Sequence, residues 1–236
     1  MIPIADNLRS RRTPIVNYLL IGFTVALFFW EVKLSMAGEL GKFLYSWGVV
    51  PVRLSSVFSD AFTAGNFATW VALLLKVFSL PVALFLHASF AQILGNLLFL
   101  WVFGKSVEGL LGHGRYLGFY LLGGILTEMV QVWVDPTLTT PLVGANGAIA
   151  ALLGAYFFSF PKAKIEAVLP LLVAFIPIEL PTIFFFFWWF VQQLFYEIGQ
   201  LPGAAEANSG VVAYWTHGLG LLIGAALVLL MAPQKQ

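Results

Sequence analysis

Two short segments of the chain place a polar side chain among glycines and alanines. Residues 144–147 read Gly-Ala-Asn-Gly, and residues 216–220 read Thr-His-Gly-Leu-Gly. Each segment lies at or near the start of a long apolar run, where a hydrogen-bonding side chain is costly and indicates a functional site. The imidazole of His217 can act as a general base, and the carboxamide of Asn146 can donate and accept hydrogen bonds. The rest of the chain must therefore bring these two segments together.

The composition predicts an integral membrane protein. Of the 236 residues, 60% are hydrophobic and only 10% are charged, whereas a soluble domain carries about 25% charged residues. The net charge of +1 argues against a nucleic-acid partner, which would need a basic patch. The absence of cysteine excludes disulfides and thiolate metal sites. The three histidines lack metal-ligand spacing and a carboxylate partner, so we expect no metal and no cofactor.

Hydropathy predicts an all-α membrane protein with six transmembrane helices in a single domain, residues 1–236. The predicted spans cover residues 14–32, 82–103, 116–134, 142–160, 182–198 and 211–231. Residues 1–13 form an N-terminal segment. Charged residues interrupt the apolar runs of residues 33–81, so the segment is unlike a membrane span, yet it is too apolar to lie in water. This predicts an interfacial first loop. The three prolines of residues 168–181 predict a re-entrant or interfacial approach to the fifth span.

The loop between the second and third predicted spans is polar and short. It holds Lys105, Glu108, His113 and Arg115. Counting Lys and Arg with the N-terminus inside gives eight positive residues in inside segments and four in the long first loop. Because positive residues collect on the cytoplasmic side, both termini are expected there. The expected location is a bacterial plasma membrane.

The fourth and sixth spans carry small residues at three- and four-residue spacing. These include Gly144 and Gly147 in the fourth span, and Gly220 and Gly224 in the sixth. Small residues let transmembrane helices approach closely, so the two faces are expected to pack against each other. That packing would bring Asn146 and His217 within hydrogen-bond reach near the outer surface. Packing alone, without chemistry, would also explain the pattern.

Three motifs resemble those of the rhomboids, a family of intramembrane serine proteases. The family has a Gly-x-Ser-Gly turn opening the fourth span, a His-x-x-Gly-x-x-x-Gly helix as the sixth, and a His-x-x-x-x-His-x-x-x-Asn signature on the second. Here residues 144–147 read Gly-Ala-Asn-Gly, residues 217–224 begin with His and end with Gly, and residues 87–96 run from His to Asn. The flanking residues 103–108, 11–14 and 158–164 are similar as well. The resemblance covers nearly the whole chain.

The resemblance implies a role for each site residue. Asn146 occupies the nucleophile position and His217 the general-base position. Asn96 and Gln92 would contribute to the oxyanion hole with the backbone around Ala145 and Gly147. His87 is a candidate in the same group, although a fold-stabilising role is favoured for it.

Two departures from the family pattern affect the chemistry. The dyad needs a hydroxyl whose proton passes to histidine, and the amide of Asn146 cannot replace it. Loss of the nucleophile in a soluble serine protease costs about 10⁶ in turnover, or roughly 8 kcal/mol of barrier. Gln92 stands where the family has its second histidine, and a glutamine NH₂ can still donate.

Three hypotheses follow from these residues. The chain is a proteolytically inactive rhomboid that still binds transmembrane segments of client membrane proteins, beside the predicted fifth span. Alternatively, the protein is an intramembrane serine endopeptidase, and Asn146 marks an inactivated variant. A small transporter or channel is the third hypothesis, and it is disfavoured because neither a charged pathway nor an inverted repeat is evident.

Overall fold

The computed structural model describes residues 1–8, 13–171, 174–187 and 210–233, and they are predominantly helical. Strand β1 (Ile2–Asp6) comes before α1 (Ile15–Met36). The remaining labelled elements, in chain order after α1, are α2 (Leu40–Trp47), α3 (Pro51–Ala64), α4 (Phe67–Ala83), α5 (Phe90–Phe99), a π-helical turn (Leu100–Gly104), α6 (Lys105–Leu111), α7 (His113–Val134), α8 (Asn146–Ser159), β2 (Lys164–Leu171), β3 (Ala174–Pro181) and α9 (Gly210–Met231). The predicted helical fold class is confirmed.

Three helices within the described ranges are long and apolar enough to cross a membrane. They are Ile15–Met36, Phe90–Leu111 and His113–Val134. Shorter apolar helices are Phe67–Ala83, Asn146–Ser159 and His217–Met231. Of the predicted fifth span, residues 182–187 are helical, and residues 188–198 lie outside the described part of the chain. The count of six spans therefore stays a prediction.

The first loop folds into the three helices α2, α3 and α4. Asn66 caps α4 by accepting the Thr69 N–H at 3.0 Å, and Gly65 supplies the left-handed turn before it with φ of 60°. Large apolar side chains remain exposed along α3 and α4: Phe58, Phe62, Phe67, Trp70, Leu74, Leu75 and Phe78. An exposed apolar face of this kind is typical of helices that lie at a membrane surface. The interfacial position remains a prediction.

The predicted polar loop between the second and third spans is wrong. The helix that starts at Phe90 continues through the π-helical turn to Leu111, and only Gly112 separates it from α7. Glu108 is buried because its carboxylate accepts the N–H groups of Val16 at 3.0 Å and Asn17 at 2.7 Å, at the start of α1. Its charge serves the unsatisfied donors of a helix N-terminus, so this position does not need water.

The π-helical turn is held by the side chain of Asn17. Its amide donates to the Leu100 oxygen at 3.0 Å, and its own oxygen accepts from the Tyr116 hydroxyl at 2.8 Å. Gly104 permits this approach, since an added Cβ would overlap the Asn17 oxygen. The three contacts fix α1 against the long helix and α7.

Residues 164–171 and 174–181 form the antiparallel strands β2 and β3, so the described part of the segment predicted as a re-entrant or interfacial approach is extended. The sheet is antiparallel in the order β1-β2-β3, with Ile2 opposite Val168 and Lys164 opposite Pro181. The prolines fit because Pro177 and Pro181 lie on the edge strand β3, where a missing N–H is tolerated. Pro170 lies beyond the residues of β2 that pair with β1.

A buried carboxylate fastens β1 to the helices. Asp6 accepts the Ser106 hydroxyl at 2.7 Å and the Tyr156 hydroxyl at 3.0 Å, and it pairs with Lys105 Nζ at 3.0 Å. Since α8 begins at Asn146 and ends at Ser159, next to this sheet, the sheet and the Asn146 turn lie at opposite ends of the bundle.

Candidate functional site

Helices α8 and α9 pack closely through small residues. An added Cβ on Gly224 would overlap the Ala151 carbonyl oxygen, and one on Gly154 would overlap the Leu221 oxygen. On Gly220 it would lie 2.7 Å from the Ala150 Cβ. Backbone thus meets backbone at this crossing, which requires glycine on the two opposing helices.

Contacts with α7 fix the direction and register of the two helices. Gly147 and Gly220 both face Thr127, whereas Ala151 and Leu227, further along α8 and α9, both face Gly123, so the two helices run parallel. Asn146 and His217 each lie about one turn before the contact between Ala150 and Gly220. The register therefore puts the carboxamide and the imidazole at the same level of the bundle, and both residues are partly buried.

Helix α7 supports this pair of helices from a third side. An added Cβ on Gly147 would lie 2.8 Å from the Thr127 Cβ, and one on Gly123 would lie 2.7 Å from the Ala151 Cβ. The Thr127 hydroxyl is satisfied within its own helix by the Gly123 oxygen at 2.7 Å. The start of α8 is therefore held rigidly between α7 and α9.

The turn before α8 depends on Gly144. Its φ of 108° lies in the left-handed region, which favours glycine. Its N–H donates to the Ala83 oxygen at 2.9 Å, and this bond ties the turn to the end of α4. Ala145 precedes the helix and is buried. The first N–H groups of α8, from Asn146 onward, have no partner in an earlier helical turn and can serve an oxygen ligand there.

Gln92 connects this turn to the start of α5. Its Oε1 accepts the Ala88 N–H at 2.9 Å, and its Nε2 donates to the Val143 oxygen at 2.7 Å. An added Cβ on Gly144 would overlap Gln92 Nε2, so only glycine fits at this position. One of the two Gln92 donor hydrogens is thus committed to the backbone.

His87 and Asn96 form a second, buried hydrogen-bonded pair. His87 Nδ1 lies 3.1 Å from the Phe85 oxygen, which can only accept, so Nδ1 carries the proton. Nε2 is then the acceptor for Asn96 Nδ2, at 3.1 Å. The His87 backbone N–H donates to Glu31 Oε1 at 2.9 Å. The sequence analysis does not single out Glu31, although a carboxylate inside the predicted first span, 14–32, is a signal of a functional position.

The structure groups the predicted site residues into two sets. Gln92 and Asn96 lie one turn apart on α5, and Gln92 reaches the backbone next to Gly144. Asn146 and His217 lie at matching levels of α8 and α9. His87 contacts Asn96 from the segment before α5. The chemical roles assigned to these residues stay predictions.

A model of the Rhomboid domain family matches residues 74–234, more than half of the chain. The chain belongs to the rhomboid family. Its matched region begins in α4 and includes every predicted site residue. Membership also confirms that this rhomboid is a membrane protein, as the composition predicts.

Curated relatives support the same assignment. The rhomboid is 35% identical over 105 residues to Presenilin-associated rhomboid-like protein A, mitochondrial, of Danio rerio, covering 42% of this chain and 27% of the relative. It is 32% identical over 85 residues to Rhomboid protein 1, mitochondrial, of Saccharomyces cerevisiae, covering 34% and 25%. It is 38% identical over 73 residues to Rhomboid protease GluP of Bacillus subtilis, covering 31% and 14%.

These alignments span about a quarter of the length of the zebrafish and yeast relatives. Both of those relatives carry mitochondrial names, which does not fit the predicted bacterial plasma membrane. Membrane localisation itself is supported by the family match.

Proposed function

We propose that this chain is a proteolytically inactive rhomboid that retains the ability to bind transmembrane segments. The observation that carries the proposal is the residue at the start of α8. There Asn146 stands where the family resemblance implies serine, at the level of His217 on the neighbouring parallel helix.

The chemical argument for inactivity concerns the attacking atom. The amide nitrogen of Asn146 has its lone pair delocalised into the carbonyl, and a neutral imidazole is too weak a base to deprotonate it. Loss of the nucleophile in a comparable dyad costs about 10⁶ in turnover, or roughly 8 kcal/mol of activation free energy. Hydrolysis by the family mechanism would therefore be negligible.

The surroundings of Asn146 support retained binding. Gly147, Gly154, Gly220 and Gly224 keep the helices in contact, and Gln92 holds the turn before α8. An extended segment lying beside α8 would meet amide donors from Gln92, Asn96 and the start of the helix. The proposed partners are transmembrane segments of client membrane proteins, entering beside the predicted fifth span, which lies mostly outside the described residues.

The proposed membrane is a bacterial plasma membrane with both termini in the cytoplasm. The bias of Lys and Arg towards the predicted inside segments supports the orientation. The similarity to GluP of Bacillus subtilis fits a bacterial setting, whereas the mitochondrial names of the zebrafish and yeast relatives do not.

A second candidate function is intramembrane serine endopeptidase, with Asn146 as an inactivating change. It is favoured by the relative named Rhomboid protease GluP, which is 38% identical over the aligned 73 residues. On this alternative, the protein cleaves transmembrane substrates when residue 146 is serine, and Gln92 donates in place of the family's second histidine.

One experiment separates the two functions. The unmodified chain and its Asn146→Ser variant are compared for cleavage of a transmembrane substrate and for labelling by a fluorophosphonate. We expect neither activity in the unmodified chain. Gain of both in Asn146→Ser would favour the endopeptidase, whereas no gain together with photocrosslinking of a transmembrane peptide would favour the inactive binder.

The matched control is Asn146→Ser combined with His217→Ala. Loss of the gained activity in that double variant would show that it depends on the imidazole. Cleavage by the unmodified chain that survives His217→Ala would contradict the assigned roles of both residues.

A further inference from the structure

Glu31 is a buried carboxylate near the end of α1 that does not belong to any of the three sequence motifs. It is only 1% exposed, and its Oε1 accepts the His87 backbone N–H at 2.9 Å. The two residues are 56 positions apart in the chain. Burial of a carboxylate costs free energy unless hydrogen bonds or an opposite charge offset the loss of water, so this contact needs an explanation beyond helix packing.

His87 connects Glu31 to Asn96 through two hydrogen bonds, one to its backbone N–H and one to its ring. The ring is fully buried and has one possible tautomer here, because the Phe85 oxygen requires a proton on Nδ1. Nε2 therefore accepts from Asn96 Nδ2 at 3.1 Å. The backbone of His87 is held by Glu31, and its ring holds one hydrogen of the Asn96 amide.

Among the described residues, the second hydrogen of that amide has no acceptor, so it can serve another group. Asn96 lies one turn after Gln92 on α5, and residues four apart share a helix face. Gln92 reaches the Val143 oxygen beside the Gly144 turn, so the Asn96 amide is on the face of α5 that meets the start of α8. Its orientation decides what it can donate to.

We propose that Glu31 is a positioning residue for this site: by anchoring His87 it fixes the Asn96 amide so that its second hydrogen points to the cleft between α5 and α8. The three residues form a relay from α1 to α5. The hydrogen bonds among the three residues are the evidence for this relay. That the Asn96 amide donates to an acyl or peptide oxygen of a bound segment rests on the proposed function.

Histidine spectra test the relay directly, since the chain has only three histidines. The protein is labelled with ¹⁵N-histidine in lipid, and separate samples lacking His113 or His217 identify the His87 signals. We expect the unmodified chain to show one neutral tautomer with the proton on Nδ1. Asn96→Leu should shift the Nε2 signal while leaving Nδ1 protonated.

Changes at Glu31 should then act on His87 from a distance. Glu31→Leu removes the acceptor and should give a mixture of His87 tautomers, whereas Glu31→Gln keeps an acceptor oxygen and should preserve the single tautomer. Glu31→Asp shortens the reach by one methylene, and serves if the leucine variant does not fold. Glu39→Gln is the control, because Glu39 is exposed and makes no cap hydrogen bond. An unchanged His87 spectrum in folded Glu31→Leu or Glu31→Asp would overturn the proposal.

The consequence for the site is measured in the Asn146→Ser chain as the rate of fluorophosphonate labelling. Glu31→Asp should lower that rate roughly tenfold or more, since small misplacement of a donor is enough for such losses, and Glu31→Gln should restore it. Equal rates in all three would overturn the link to the site. Absence of labelling in Asn146→Ser itself would count against the endopeptidase alternative, while the histidine spectra would still decide whether Glu31 positions His87.

Discussion

At the level of single residues, the site is defined by which donor hydrogens are already used. The Gln92 carboxamide bridges two turns, from the Ala88 N–H to the Val143 oxygen. A side chain with both ends committed acts first as a structural link. This bridge explains why a glutamine can stand at a position where the family resemblance implies histidine.

Exchanging the amide of Gln92 for a carboxylate should break half of the bridge. In Gln92→Glu the Ala88 N–H keeps its acceptor, but a carboxylate oxygen faces the Val143 oxygen in place of a donor. We expect a loss of about 1–3 kcal/mol in stability, measured as a lower midpoint of thermal unfolding in detergent. The loss should shrink at acidic pH, because a protonated carboxyl regains a donor.

The control for this change is Gln131→Glu, on a partly buried glutamine near the end of α7 with no side-chain hydrogen bond to the described residues. Equal loss in both variants would show that the charge matters and that the bridge does not.

The motif residues were predictable from sequence, but their partners were not. Asn146, His217 and Asn96 stand out because polar side chains are rare in apolar runs. Glu31 and His87 meet across 56 residues, and no local pattern records that pairing. The glutamine bridge was missed for the same reason, since Val143 contributes only its backbone oxygen.

At the level of elements, the closeness of α8 and α9 is the property on which the site depends. Gly224 lies against backbone atoms of Ala151, and backbone cannot move aside as a flexible side chain can. The crossing therefore leaves no room for a methyl group on either helix at this point.

Gly224→Ala should push the two helices apart. We expect a destabilisation of about 1–3 kcal/mol or more from overpacking, opposing a gain of up to about 1 kcal/mol in helix propensity. Gly218→Ala is the control on the same helix, because an added Cβ there would meet nothing within 4 Å. The unfolding midpoints of the two variants should move in opposite directions, and equal shifts would contradict the close packing.

Element prediction succeeded where hydropathy and helix length coincide. The predicted third span, 116–134, falls within α7, and the predicted sixth, 211–231, matches α9. Strands β2 and β3 were not predicted because their prolines suggested breaks, and because β2 pairs with β1, which lies far away in the sequence. Pairing over that distance leaves no periodic signal in a single sequence.

At the level of the whole molecule, the sheet and the Asn146 turn occupy opposite ends of the helices, which makes the orientation testable. The chain contains no cysteine, so single cysteines can be introduced without background. Thr139→Cys, in the exposed loop before α8, should react with a membrane-impermeant maleimide in intact cells, whereas Glu179→Cys in β3 should react only after lysis. The reverse pattern would contradict both termini being cytoplasmic.

The attachment of β1 also has a consequence for how the molecule is made. Asp6 receives a hydrogen bond from Tyr156, which follows it by 150 residues, and β1 pairs with residues of β2 that come later still. During synthesis β1 stays unpaired until the helices that precede β2 have left the ribosome. Completion of the sheet thus follows the synthesis of helices α1 to α8, and it joins β1 to two strands that are made after those helices.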